Sequence, residues 1–455
     1  MTHSSFNGIQ HAGILGLGVS GMGMLTYLAA VGCPRITLRS HDACSLPTDA
    51  LPFEEVRILT GERVYDDLCE QVLFLSPSVR RDAPPLCAAQ ARGVRLCSDA
   101  ENFFSQVRGQ VFAITGSDGK STTTIIAELL LKTGQFSHVQ LGGNIGYALS
   151  PMLAEDTQDT AYAVELSSFQ LMYMTPHSRR ALITGISENH LNWHKDMDEY
   201  IRAKCHITDR TEAFVLNADD PTVCRYVDRT PYAVYSMKQS TRELLRYGAQ
   251  VVVSLEQDAI AVDGHARLPL SRIALGGAHN IQNYMAAMAL CDGFYDSRAL
   301  ADIAAHFQGL PHRARCVATV RGVRYVDASI DSSPTRTITT LRAQPCRPIL
   351  ILCGRDKGLR IDELLTVLRT HVKAIVCAGE FGRQVYERLQ EADDRLDPSI
   401  PLRYETTLEG AVRVASTLAR EGDTVLLSPA ATSFDAYKNF EERARAFQQA
   451  AEALL

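Results

Sequence analysis

A chain of 455 residues, 46% hydrophobic and 22% charged, has the composition of a globular α/β protein and, at about 150 residues per domain, room for about three domains. A net charge of −6 and no long basic run exclude a nucleic-acid-binding role. The start Met-Thr-His-Ser-Ser-Phe-Asn lacks the pattern of a secretory signal, no apolar run approaches the ~18 residues of a membrane span, and twelve scattered cysteines without a Cys-x-x-Cys pair read as reduced thiols, so a cytoplasmic protein is expected.

Gly13–Leu17 reads as a strand, Val19–Val31 as a helix closed by Gly32, and Arg35–Leu38 and Val72–Leu75 as strands, the last running into Ser76-Pro77. Gly16-Leu17-Gly18-Val19-Ser20-Gly21 matches the dinucleotide fingerprint between strand and helix, a weak signal when alone. The next strand ends Leu38-Arg39-Ser40-His41, without the acid that holds the ribose of a nicotinamide dinucleotide. The helix N-terminus suits the pyrophosphate of another nucleotide equally well. A boundary is expected near Ser98–Ser105, making residues 1–98 a first domain.

The most informative run follows: Ala113-Ile114-Thr115-Gly116-Ser117-Asp118-Gly119-Lys120-Ser121-Thr122. An apolar strand breaks into a glycine turn and then into a helical pattern, Thr122–Leu131, closed by Gly134. Glycines let backbone N–H groups approach phosphate oxygens, the helix dipole favours the anion, and the Lys120 ammonium reaches the terminal phosphates. The Ser121 hydroxyl is placed to ligate Mg²⁺. These residues imply a bound nucleoside triphosphate. Two residues, not the general four, separate the glycines.

Strands at Ala161–Val164, Ala181–Ile186 and Ala213–Leu216 carry polar residues at their C-terminal ends, where open α/β sheets place ligands. Glu165 suits Mg²⁺, since hard cations take oxygen ligands, but it also reads as a solvated strand-end glutamate. His190, as a lone histidine, reads more readily as a structural residue than as a metal ligand. Lys204 lies in the helical run Met197–Thr211. It is a solvated helix lysine, or else a partly buried neutral amine among Ile201, Ala203 and Ile207, able to form a carbamate with CO₂. Val251–Asp263 reads as a β-hairpin, and His279–Phe294 and Ser297–Phe307 as helices. Asn280 and Asn283 suit either base recognition or helix capping. Gly309-Leu310-Pro311 marks a second boundary, giving domains at 99–310 and 311–455. The last domain opens on a hairpin around Arg321-Gly322 and continues with strands Ile349–Cys353, Lys373–Cys377 and Thr424–Leu427. Alternation of strands and helices throughout implies parallel sheets in three α/β domains: two Rossmann-like domains around a central phosphate-loop domain.

The ordered motifs resemble those of the Mur ligases, the muramyl peptide ligase family, across nearly the whole chain. They are Gly-Ser-Asp-Gly-Lys-Ser (116–121), Gly-Gly-Asn-Ile-Gly (142–146), Glu-Leu-Ser-Ser-Phe-Gln-Leu (165–171) and Leu-Asn-Ala-Asp-Asp (216–220). His-Asn-x-x-Asn (279–283), Gly-Leu-Pro-His-Arg (309–313), Ser-Pro-Ala-x-x-Ser-x-Asp (428–435) and Lys-Asn-Phe-Glu-x-Arg (438–443) complete the set. The Ser-Ser-Phe-Gln and Lys-Asn-Phe-Glu segments point to the branch that adds D-glutamate. The resemblance implies an ATP-dependent amide ligase joining D-glutamate to UDP-N-acetylmuramoyl-L-alanine through an acyl phosphate, acting as a monomer.

By the same resemblance Gly116, Ser117, Asp118, Gly119, Lys120, Ser121 and Thr122 hold ATP, with Asn283 at adenine and His312 and Arg313 nearby. Ser121 and Glu165 take one Mg²⁺; His190 and Lys204, the latter as a carbamate, take a second. Val19, Ser20, Ser40, Ser76, Asn144, Ser167 and Gln170 fall to the UDP-substrate, and Ser332, Lys357, Ser433, Phe434 and Phe440 to the amino acid. Arg355 is a competing cation for the glutamate pocket. Several positions depart from the family pattern: Ala328 and Ile330 replace an aspartate and a lysine, Asn189 an aspartate, Ser78 a glycine and Asp118 an asparagine. The rival readings are a ligase for L-glutamate, a folylpolyglutamate synthase-like ligase, a nicotinamide dehydrogenase and a non-catalytic nucleotide-binding module.

Overall fold

The computed structural model describes residues 8–41, 51–191, 193–309, 312, 314–356, 360–391 and 396–454. They form two compact units, Met1–Phe307 and Gln308–Leu455. The first unit contains two sheets. One is built from β1 (His11–Leu15), β2 (Arg35–Ser40), β3 (Glu55–Thr60), β4 (Val72–Leu75) and β5 (Arg95–Cys97), all parallel in the order β3-β2-β1-β4-β5. Order reverses between β1 and β4, and there an open α/β sheet leaves a crevice at the carboxyl ends of its strands. Arg39 near the tip of β2 turns inward: it is buried, pairs with Glu70 at 2.6 Å and donates to the Val64 and Asp66 carbonyls.

The second sheet comprises β6 (Gln110–Thr115), β7 (His138–Gly143), β8 (Thr160–Glu165), β9 (His177–Ile183), β10 (Arg210–Asn217), β11 (Ala233–Ser236), β12 (Val251–Glu256), β13 (Ala259–Val262) and β14 (His265–Pro269). Its order is β14-β13-β12-β11-β10-β9-β6-β8-β7. Strands β6 to β12 are parallel, whereas β13 and β14 run antiparallel as an edge meander. Mostly parallel sheets were the expectation and are what the chain forms; this antiparallel edge has a geometric reason. Asp263 and Gly264 both have positive φ, 51° and 76°, the two-residue turn that reverses a chain, whereas a parallel crossover needs a dozen residues or more. The β12–β13 hairpin matches the sequence reading; β14, exposed at every position but Leu268, carries too little apolar alternation to be legible. Phe112, Ile114, Ile126, Leu130, Met285 and Met288 are buried together where helices Lys120–Leu131 and Ala278–Cys291 pack on this sheet. Burying each such side chain contributes about 1.5–3 kcal/mol, so the element that carries the glycine turn is firmly held.

The second unit contains β15 (Arg315–Val320), β16 (Val323–Asp327), β17 (Ile349–Cys353), β18 (Ala374–Ala378), β19 (Leu402–Glu405) and β20 (Thr424–Ala430). The order is β15-β16-β20-β17-β18-β19, parallel except for the β15–β16 hairpin turned by Arg321 and Gly322. Its loops at 328–333, 354–356 and 430–435 all follow the carboxyl ends of strands.

Candidate active site

Strand β6 ends at Thr115, and the turn Gly116–Gly119 leads into helix Lys120–Leu131. Gly116 and Gly119 have φ of 151° and 78°. A Cβ on Gly116 would lie 1.9 Å from Thr184 Oγ1, and one on Gly119 would lie 2.5 Å from Asn283 Oδ1. No side chain fits either place, so both glycines are required by backbone conformation and by space. Neighbouring strands then lock the turn. Thr184 Oγ1 donates to the Asp118 carbonyl (2.5 Å), and Ser117 N donates to the Gly185 carbonyl (2.7 Å). Ser117 Oγ donates to the Ser187 carbonyl (2.9 Å) and lies 2.7 Å from Tyr200 Oη. Lys120 is half-buried at the helix N-terminus, with Nζ donating to Ser117 O at 2.9 Å.

Glu165, the last residue of β8, pairs in register with Ile114 of β6 and is fully buried. Its Oε1 accepts from Asn144 Nδ2 at 2.6 Å, while Oε2 is buried without a hydrogen-bond partner among the described residues. An unmet buried carboxylate oxygen costs about 1–3 kcal/mol or more, so this atom calls for a cation or a ligand donor. An oxygen-only donor beside a phosphate turn fits a hard cation such as Mg²⁺.

Lys204 resolves in favour of burial. It is 2% exposed on helix Met197–Asp209, with Nζ donating to the Gly116 carbonyl at 2.5 Å and lying 4.8 Å over the Tyr200 ring. Burial holds its amine well below the lysine range; the Lys120 ammonium adds to this, while Glu165 and Asp118 oppose it. The structure thus places beneath the phosphate turn an amine whose charged form burial disfavours, and the uncharged form is the one that reacts with CO₂. His190 is exposed, with a left-handed φ of 56°, and its ring meets Phe169 edge-on at 4.9 Å. Among the described residues no cluster of three or more His, Cys, Asp or Glu side chains forms a metal cage.

The residues that the family resemblance assigns to a UDP-substrate fall at two places in the first unit. Gly16 N donates to the Arg39 carbonyl and Ser76 N to the Leu15 carbonyl, each at 2.8 Å, which draws the tips of β1, β2 and β4 together. Val19, 65% exposed, and Ser20 open the following helix there, beside Ser40 and Ser76. Near Glu165, Ser167 and Gln170 form a reciprocal capping box: Ser167 N donates to Gln170 Oε1 at 2.9 Å, and Gln170 N to Ser167 Oγ at 3.2 Å. Asn144 N donates to the Glu165 carbonyl (2.8 Å), so Asn144, Glu165 and the box share one strand end. Asn283 is buried against the back of the phosphate turn, where Thr123 Oγ1 donates to it at 3.2 Å and its own amide donates to Asn280 Oδ1 at 3.3 Å. Asn280 is held locally, donating to the Gly276 carbonyl at 2.8 Å.

In the second unit His312 has a left-handed φ of 63°, with Nδ1 2.7 Å from Asp327 Oδ2 and its ring 5.8 Å from Phe440. Arg313 and Lys357 lie outside the described residues. Ser332 is half-buried, Ser433 buried and Phe434 62% exposed. Arg443, missed in the sequence reading, is fully buried and donates to the carbonyls of Ser329 (2.9 Å) and Ala431 (3.0 Å). It ties together the loops bearing Ser332 and Ser433. Its place in the Lys-Asn-Phe-Glu-x-Arg run was the available signal. Ala328 is a core residue, and Ile330 N donates to the His312 carbonyl at 3.2 Å. The Arg355 backbone is bonded both ways to Thr432, which sets it beside Ser433.

A strand–glycine turn–helix with a lysine at the helix start, a buried half-satisfied carboxylate and a buried lysine amine defines a phosphate-loop enzyme of the phosphoryl-transferring class. The Mur ligase middle domain family matches residues 114–291. UDP-N-acetylmuramoylalanine--D-glutamate ligase of Acetivibrio thermocellus is 34% identical over 448 residues, covering 96% of this chain and 95% of that protein. Its counterpart in Clostridium novyi is 34% identical over 446 residues, covering 97% and 96%. Among solved structures, the crystal structure of UDP-N-acetylmuramate-alanine ligase MurC from Thermotoga maritima aligns with a TM-score of 0.60 at 16% identity, covering 98% of this chain and 99% of that one. A pseudomurein peptide ligase type C from Methanothermus fervidus aligns at 0.55 and 15% identity, covering 98% and 100%. Both share the fold. The chain belongs to the Mur ligase family, alongside relatives that carry the D-glutamate ligase name.

Proposed function

We propose that this chain is an ATP-dependent ligase that joins D-glutamate to UDP-N-acetylmuramoyl-L-alanine in peptidoglycan precursor synthesis, working as a cytoplasmic monomer. The near full-length likeness to relatives of that name supports the chemistry. No helix among the described residues is long and apolar enough to cross a membrane. The observation that carries the reading is the conjunction at two neighbouring strand ends: buried Glu165 with an unmet oxygen on β8, and buried Lys204 beneath the Gly116–Gly119 turn after β6.

In this reading residues 1–98 take the UDP moiety, 99–310 take ATP, and 311–455 take the amino acid. Backbone amides of the turn and Lys120 hold the phosphates of ATP, with Thr122 and Asn283 toward the nucleoside. Ser121 and Glu165 would hold one Mg²⁺, and His190 with the Lys204 carbamate a second; bound there, the ions neutralise charge on the transferring phosphoryl group. A carboxylate oxygen of the alanine attacks the γ-phosphorus, the bond to the β-phosphate oxygen breaks, and ADP leaves an acyl phosphate. The glutamate amine then attacks the acyl carbon, losing a proton as inorganic phosphate departs. Asn144, Ser167 and Gln170 orient the acyl end, and Ser332, Lys357, Ser433, Phe434 and Phe440 hold the amino acid. Phosphate release is the test, with UDP-N-acetylmuramoyl-L-alanine, ATP and each amino acid in turn. Turnover with D-glutamate is expected. Preference for L-glutamate would reassign the amino acid, and no release with any would refute the reading.

A further inference from the structure

We propose that His194 is a positioning residue for the muramoyl-peptide pocket, orienting the Ser167–Gln170 turn through the Ser168 hydroxyl while Glu199 braces the other side of its ring. This rests on the functional reading above. His194 and Ser168 are each 2% exposed, and His194 Nε2 lies 2.9 Å from Ser168 Oγ. Water cannot substitute for a bond so enclosed. Ser168 opens the short helix Ser168–Leu171 and sits inside the capping box made by Ser167 and Gln170. A rotation at Ser168 therefore displaces both side chains assigned to the acyl end of the sugar substrate.

The opposite ring nitrogen, Nδ1, lies 3.3 Å from Glu199 Oε2, close but out of hydrogen-bonding alignment. A carboxylate can only accept, so a proton on Nδ1 would suit the neighbouring Glu199 and would leave Nε2 to accept from the Ser168 hydroxyl. Glu199 is itself fixed by Arg80 at 3.0 Å, and Arg80 stacks 4.9 Å from the centre of the Trp193 ring. Trp193 Nε1 donates to the Ser78 carbonyl at 2.8 Å, in the loop that begins at Ser76. His194 N also donates to the His190 carbonyl at 3.0 Å. One imidazole thus stands between the substrate-side turn, the segment carrying His190 and the loop after β4. An apolar side chain would fill the cage of Trp193, Tyr200 and Phe169 (ring centroids 4.6, 5.3 and 5.7 Å from the imidazole) but would aim nothing at Ser168.

Steady-state kinetics of the full chain test this, with UDP-N-acetylmuramoyl-L-alanine and ATP varied separately. His194→Ala should raise KM for the sugar substrate roughly tenfold while KM for ATP and kcat stay within about threefold. His194→Gln, which keeps an acceptor at similar reach, should recover part of the loss. Ser168→Ala should match His194→Ala, and the double variant should be no worse than either, because both remove one contact. Parallel rises in both KM values, an unchanged KM for the sugar substrate, or additive single effects would each overturn the proposal. If His194→Ala is insoluble, Ser168→Ala and His194→Gln decide the matter by the same criteria. Wild-type protein that releases no phosphate refutes the functional reading itself; active wild type with unresponsive variants refutes only the role of His194.

Discussion

Replacing Lys204 with alanine separates a ligand-bearing lysine from a merely buried one. In the structure Nζ supplies the Gly116 carbonyl with a donor at 2.5 Å and is almost wholly shielded from water. Truncation leaves that carbonyl short of a partner, at about 1–3 kcal/mol, and opens a cavity below the phosphate turn. For a unit of this size each kcal/mol lowers Tm by about 2–4 °C, so the variant should melt a few degrees earlier and remain folded at assay temperature. Activity should fall far more, by a factor on the order of 10³ or greater, because charge stabilisation of the transferring phosphoryl group goes with the ligand. Phosphate release reports the loss, and acetate or propionate added to Lys204→Ala should restore part of it by occupying the vacated space. Wild-type enzyme stripped of bicarbonate should slow, and isotopically labelled bicarbonate should enter the wild type but not the variant. Activity within a few fold of wild type, or no label taken up, would refute the carbamate and leave Lys204 a structural amine.

Lys120→Ala should reduce turnover on the order of 10³-fold or more with little change in Tm, since a half-buried side chain at a helix start contributes little packing; near-normal turnover would dismiss the turn as the phosphate site. Lys357→Ala should raise KM for D-glutamate strongly and leave that for ATP within a few fold, because it removes binding and not phosphate chemistry. Equal rises in both would move the glutamate cation to Arg355. Glu199 supplies the pH dependence. Arg80 holds its carboxyl down from 4.5 to about 2, so its contribution to stability is complete above about 4.5 and is lost as pH falls toward 2. Glu199→Gln should flatten the chemical-denaturation stability profile across that acid window, and an unchanged acid limb would contradict the pairing.

The sequence by itself determined what depends on local order along the chain. Gly116 to Lys120 spells out a strand, a turn with left-handed positions and a helix start within a few residues, so fold class and phosphate chemistry were legible together. The parallel alternation was legible for the same reason, as were the hairpins at 251–263 and around Arg321-Gly322. Contacts between residues distant in sequence were not. Whether Lys204 faced water or the core depended on strand β6 lying against its helix; periodicity allowed both. That Glu165 keeps one oxygen unmet follows from Asn144 taking the other, across a strand pairing that composition does not reveal. His194 carried no signal of its own, and Arg443 only its place in a motif, because a buried polar side chain is defined by the partners that tertiary packing brings to it: Ser168 and Glu199 for the one, the carbonyls of Ser329 and Ala431 for the other. Local backbone preferences write themselves into neighbouring residues, whereas desolvation and hydrogen-bond satisfaction exist only once the chain has folded.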